Sequence, residues 1–239
     1  MTGGPAPRAV PPSPRAVLFD LDGTLLDHAG AAAEAITASF PDEDPERLVR
    51  RWLELVDASV DRYLAGELTF PEQRRIRITT LARELGRGDW DEARADAWIR
   101  GYAARYAAAW RPFPDAPGPV AALAERGLRL GVITNGDAGQ QRAKIERIGL
   151  AERLAYLVTS AETGAAKPHP EIFRVACAGL GLPARDVVYV GDRLDVDARG
   201  AASAGLAGVW LDRSAGPVPD GLDVPRITSL EELPGLLTP

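Results

Sequence analysis

Asp20 and Asp22 close an apolar run in "VLFDLDGTLLDHAG" (17–30), and Gly23 follows them at once. A strand that only stabilised a fold would gain nothing from a carboxylate in that place. An unpaired buried carboxylate is costly enough that it shifts its pKa or finds a partner. Three further stretches offer partners. Thr134, Asn135 and Gly136 follow "LGVI", Lys167 stands in "GAAKPHP" ahead of a helical pattern, and Asp192, Asp195 and Asp197 follow "VVYVG". Carboxylates, a hydroxyl and a lysine are the groups of nucleophilic, proton-transfer and cation-binding chemistry.

The elements that must position these groups alternate along the chain. Short β-branched runs at 15–20, 128–134, 155–160, 186–192 and 207–212 are separated by helical patterns at Val120–Arg126, Gln140–Ile148, Pro170–Gly179 and Val196–Ala204. This alternation predicts an α/β fold, a doubly wound parallel sheet of the Rossmann-like kind, with strands buried on both faces. Ligands in such sheets bind beyond the carboxyl ends of the strands, where all four stretches would meet.

Between His28 and Trp110 the texture changes. Leu48, Trp52, Leu55, Val56, Val60 and Tyr63 recur at helical spacing, and Trp98, Tyr102, Tyr106 and Trp110 form an i, i+4 stripe that reads as a packing seam. The expected organisation is a flexible Pro-rich leader at 1–14, an α/β core from 15–27 and 111–239, and an inserted helical domain at 28–110. The insert returns to the sheet through "RPFPDAPGP", where a hinge is expected.

Composition excludes several classes. With 239 residues, 46% of them apolar, the chain can bury a full core. Its net charge of −6, without a Lys/Arg block, argues against nucleic acid as a partner. No stretch approaches the ~18 apolar residues of a membrane span, and the N-terminus lacks the apolar segment of a secretory signal. Cys177 has no second cysteine to pair with, which fits a cytoplasmic setting, and its apolar helical context reads as a buried inert thiol.

"FDLDGTL", "VITNG", "KPHPEIF" and "VGDRLDVD" resemble, in order and spacing, the four motifs of the haloacid dehalogenase-like (HAD) hydrolase superfamily. The resemblance covers roughly 15–27 and 111–235, and the insert at 28–110 occupies the position of a C1-type cap. "TNGDAGQQRAKIERIGL" and "GDRLDVDARGA" are similar to the group that includes N-acylneuraminate-9-phosphatases and pyrimidine 5'-nucleotidases.

The resemblance implies roles residue by residue. Asp20 would be the nucleophile that forms an aspartyl-phosphate, and Asp22 the general acid and then the base. Both carboxylates, two residues apart, would emerge on one side of the strand. Thr134 and the backbone N–H of Asn135 would bind phosphoryl oxygens, and Lys167 would bind phosphate and offset charge. Mg²⁺ would be held by the Asp20 carboxylate, the Asp22 backbone carbonyl and the Asp192 carboxylate. Asp197, favoured over Asp195 by the GDxxxxD form, would support the site, and Gly23 would permit the turn.

Charge arithmetic agrees with a cation. Four ionised aspartates and a phosphate dianion against Lys167 leave about five uncompensated negative charges, which raise pKa values and repel substrate. Hard oxygen ligands select Mg²⁺. Lys144, the other lysine, reads as a solvated helix residue. Arg74, Arg75 and Arg77 read as a solvated face, or one of them as a partner for an anionic leaving group. His28 and His169 read as surface or hinge residues.

The implied activity is Mg²⁺-dependent hydrolysis of a small phosphomonoester, a sugar phosphate or nucleoside monophosphate. A phosphomutase or a catalytically silent phosphometabolite-binding protein are the alternatives. Asp22 argues against dehalogenation, because a leaving halide needs no proton. The lack of lysine between His28 and Trp110 excludes Schiff-base phosphonate chemistry. A receiver-type phospho-accepting module would be about half this length. No G-x-G-x-x-G follows the first strand, which removes a dinucleotide-dependent oxidoreductase.

Overall fold

Apolar residues at every position, rather than every second one, mark β1 (Ala16–Phe19) as a strand covered on both faces, and all four residues are buried. The computed structural model describes residues 10–237, so residues 1–9 of the expected leader lie outside the described residues. Four helices follow β1: α1 (His28–Ser39), α2 (Pro45–Leu64), α3 (Phe70–Glu84) and α4 (Glu92–Ala108). The chain continues through α5 (Pro117–Glu125), β2 (Arg129–Thr134), α6 (Ala138–Arg147), β3 (Tyr156–Thr159), α7 (Ser160–Thr163), α8 (Pro170–Leu180) and β4 (Val187–Gly191). A π-helical turn, Leu194–Arg199, runs into α9 (Gly200–Ser203), and β5 (Ala207–Leu211) and β6 (Arg226–Ile227) follow.

The strands form one sheet in the order β3-β2-β1-β4-β5-β6, and every neighbouring pair is parallel. The chain runs outward from β1 on one side and then crosses to β4 on the other, so β1 sits at the switch point where a crevice opens. The sheet carries one more strand than the sequence predicts. The two residues of β6 are too few to display a period. The helix expected from Val196 begins instead as a π turn.

The chain divides into two compact units, one built from the segments up to Asp27 and from Arg111 onward, the other from His28–Trp110. In the sheet unit the two chain crossings are tied together. Asp27 N–H donates to the Arg111 carbonyl at 3.1 Å, Phe113 N–H to Leu25 at 2.9 Å, and Leu26 bridges Pro112.

Within the helical unit, side chains of Asp44 and Asp91 cap α2 and α4, and Thr69 with Glu72 forms a capping box on α3. The helices bury Ile36, Leu48, Trp52, Leu55, Val56, Ile78 and Leu81. Trp98 stacks on Tyr102 at 5.2 Å and Tyr102 on Tyr106 at 6.1 Å, while Trp52 Nε1 donates to the Tyr102 hydroxyl at 2.8 Å. The aromatic stripe is therefore a packing seam, with the Tyr102 hydroxyl bonded to Trp52 and the Tyr106 hydroxyl to His28.

The arginine face is not simply solvated. Arg75 forks onto Asp96 with two 2.7 Å bonds, Arg74 lies 4.2 Å over the Phe70 ring, and Arg77 donates to Gln73. Burial pushes the Arg77 pKa down to about 10. Among the described residues no helix is long and apolar enough to cross a membrane.

Candidate active site

The ladder of β1 runs one residue past its end, with Asp20 N–H donating to the Val190 carbonyl at 2.8 Å, and this presents the Asp20 side chain at the carboxyl edge of the sheet. Asp20 is 6% exposed. Lys167 Nζ donates to Asp20 Oδ1 at 2.6 Å, to Asp197 Oδ1 at 2.7 Å and to the Tyr189 hydroxyl at 2.8 Å. Three bonds use all three ammonium protons. The Tyr189 hydroxyl donates to the Ile133 carbonyl at 3.0 Å, and Asp197 Oδ2 accepts from Arg193 N–H at 3.0 Å. Burial alone would depress the Lys167 pKa, but the facing Asp197 and Asp20 carboxylates outweigh it and raise the value.

Asp20, Asp192 and Asp197 each offer an oxygen within 4.8 Å of the others, and Asp20 Oδ2 is buried without a hydrogen-bond partner. One lysine does not balance this cluster. Burial pushes Asp20 up to about 8 against the pull of Lys167, with Asp197 and Asp192 adding repulsion. Burial, then Asp197, pushes Asp192 up to about 6. An orphaned carboxylate oxygen beside two more carboxylates fits a hard divalent cation.

Loop geometry explains how the groups converge. The Asn135 side chain donates to the Lys167 carbonyl at 3.0 Å and accepts from Lys167 N–H at 2.8 Å, so it joins the segment after β2 to the segment before α8. Gly23 sits at φ +92°, and a Cβ there would stand 2.4 Å from Asp192 Oδ2. Glycine is required on both counts. Arg213 donates to the carbonyls of Gly23 at 3.1 Å and Thr24 at 2.7 Å, anchored on Asp115 at 3.0 Å and lying 3.7 Å over Phe113. In the sequence Arg213 is one arginine among many and carries no motif signal.

Asp22 lies beyond the end of β1 at Phe19, in the turn, where it bridges Leu26. Its carboxylate meets Lys144 Nζ at 2.8 and 2.7 Å, and Gln141 Nε2 at 3.0 Å. The same Nε2 donates to Thr134 Oγ1 at 2.6 Å. Lys144 is therefore not a solvated helix residue; it is 5% exposed. The signal was present in the sequence, because a chain that uses arginine almost everywhere holds only two lysines.

Asp197 is 1% exposed, whereas the Asp195 side chain is largely exposed and pairs with Arg199 at 2.8 Å. His169 caps α8 and His28 meets the Tyr106 hydroxyl at 2.5 Å within the helical unit. Cys177 is buried, and burial raises its pKa to about 11, which keeps the thiol protonated and inert.

The raised carboxylates make stability fall with pH. A group whose folded pKa exceeds its unfolded value favours folding while protonated, so Asp20 and Asp192 cost stability as pH climbs from about 4 through 8. The depressed carboxylates Asp115 and Asp212 lose their contribution only on acidification below their ordinary 3.8. In EDTA the melting temperature should therefore drop between pH 5 and 8.5, and added Mg²⁺ should restore more of it at the upper end. At a hundredfold excess over Kd the cation supplies about 2.7 kcal/mol. A Mg²⁺ effect independent of pH would contradict this balance.

Residues 14–205 match the haloacid dehalogenase-like hydrolase family. N-acylneuraminate-9-phosphatase of Rattus norvegicus is 30% identical over 238 residues, 93% of either chain. The pyrimidine 5'-nucleotidase YjjG of Escherichia coli is 41% identical over 125 residues, 51% of this chain and 56% of that protein. The magnesium-bound HAD-hydrolase YfnB from Bacillus subtilis shares the fold with a TM-score of 0.82, covering 94% of this chain and 99% of its own, at 24% identity. A match over so much of the chain, joined to four motif segments meeting at one sheet edge, makes this protein a member of the haloacid dehalogenase-like hydrolase family.

Proposed function

We propose that the protein is a Mg²⁺-dependent phosphomonoesterase that hydrolyses a small phosphorylated metabolite, a sugar phosphate or nucleoside monophosphate, through an aspartyl-phosphate. The observation that carries this reading is Asp20: a buried carboxylate at the switch-point strand, one oxygen on Lys167 and the other without a partner. The names of the phosphatase relatives support the reaction class.

In this scheme an Asp20 oxygen attacks phosphorus and the bond to the ester oxygen breaks. Asp22 gives that oxygen a proton. Asp22 then takes a proton from water as the water attacks the acyl phosphate, which releases phosphate and restores Asp20. Thr134 and the Asn135 N–H hold phosphoryl oxygens. Lys167, its protons committed to Asp20, Asp197 and Tyr189, acts as a fixed positive charge. Asp20, Asp192 and the Asp22 carbonyl would hold Mg²⁺, which supplies compensation for phosphate charge. The insert at 28–110 serves as the specificity-bearing cap. The setting is cytoplasmic, in keeping with a lone buried cysteine.

The test is phosphate release from a panel of sugar phosphates, nucleoside monophosphates and phospho-acids, with Mg²⁺ and with EDTA. Metal-dependent release concentrated in one chemical class is the expected result. Interconversion of positional isomers without release would identify a mutase instead. Silence towards the whole panel and p-nitrophenyl phosphate would overturn the proposal.

A further inference from the structure

Both lysines of the chain are buried against aspartates of one site, Lys167 on Asp20 and Lys144 on Asp22. Lys167 belongs to the third motif. Lys144 belongs to none, and it lies with Gln141 on the buried face of α6, three residues apart and so on one side of the helix. The helix start is fixed by Asp137, whose side chain accepts from Gln140 N–H at 2.9 Å.

The orientation of the Gln141 amide follows from its partners. A carboxylate only accepts, so the amide nitrogen must face Asp22, and the same nitrogen reaches Thr134 Oγ1. Thr134 thus accepts from Gln141 and keeps its own proton for another acceptor. One amide fixes the direction of the Thr134 hydroxyl and one oxygen of Asp22 together. Lys144 spans both Asp22 oxygens and sets the rest of its position.

We infer that Lys144 and Gln141 are positioning residues, acting through Asp22, that hold its carboxylate in register with the Thr134 hydroxyl. The inference rests on the phosphomonoesterase reading and deepens it. Arginine, with its wide planar fork, presents a different set of donors from a compact ammonium, which accounts for a lysine kept here in an arginine-rich chain.

A mutant cycle tests it. Lys144→Met should lower kcat on an alkyl phosphate by about tenfold or more, with KM changed by no more than about twofold. In an Asp22→Asn background the same change should alter the residual turnover of that same alkyl phosphate by less than about twofold, because the proton-transferring carboxylate that Lys144 positions is gone. An equal loss in both backgrounds, or wild-type kcat in Lys144→Met, would overturn the inference. Thermal melts check that each variant folds. Should Lys144→Met not fold, Gln141→Leu and Lys144→Gln carry the same cycle with the same expected non-additivity. Failure of the parent reading looks different, since the wild type would then release no phosphate from any ester.

Discussion

Asp20→Asn is expected to abolish phosphate release, by on the order of 10⁴-fold or more, while making the metal-free protein more stable. The two effects have one origin. In the proposed mechanism Asp20 is the attacking carboxylate, and an amide is a poor nucleophile. It is also a buried negative charge with Asp192 and Asp197 close by and one oxygen unsatisfied. The amide carbonyl can still accept from Lys167, so the neutral side chain keeps the bond and removes the repulsion. For a chain of this size each kcal/mol recovered raises the melting temperature by about 2–4 °C. The gain should be largest near pH 8.5 in EDTA and should shrink towards pH 5, where Asp20 is already protonated. Activity above a few per cent of wild type would remove Asp20 as nucleophile. A lowered melting temperature would mean that its charge is already balanced.

Lys167→Met should do the reverse to stability. The ammonium is 3% exposed and bonds to two carboxylates and a phenol at once. Removing one partner of a buried pair leaves uncompensated charge and costs about 3–5 kcal/mol. That corresponds to a fall of about 6–20 °C in EDTA, with part recovered by Mg²⁺. Turnover should be lost along with it. Since Asp197 and Asp20 raise the Lys167 pKa, its stabilising charge is present at every pH below the usual lysine range, and the deficit should persist from pH 5 to 9. A melting temperature within 2 °C of wild type, read by calorimetry, would show that the cluster does not depend on this ammonium.

Legibility followed the physics of each residue. The five longer strands were readable because parallel strands buried on both faces leave continuous apolar runs, and a polar group at the end of such a run stands out. Asp20, Thr134 and Asp192 were found that way, whereas Lys167 stood out as one of two lysines, placed ahead of a helical pattern. Asp22 was identified from the same stretch as Asp20, although β1 ends at Phe19 and Asp22 lies in the turn beyond it. Lys144 and Gln141 were missed because an amphipathic helix assigns its polar residues to solvent by default, and only the scarcity of lysine spoke against that. Tyr189 was hidden inside an apolar run: its ring packs at 5.1 Å from Phe173 as any core aromatic would, while its hydroxyl meets Lys167. No local pattern distinguishes Arg213 from an exposed arginine.

The tie between Leu25–Asp27 and Arg111–Phe113 bears on how such a protein can diversify. The chain leaves and rejoins the sheet unit within one hydrogen-bonded step, so the sheet senses everything between as a loop whose ends already meet. Closure entropy grows slowly, by about 0.6 kcal/mol for each doubling of loop length. Segments of very different size are thus exchangeable at this point with little penalty to β1 and β2. With the insert in its proposed cap role, recombination here would alter what the protein recognises and leave the aspartates untouched.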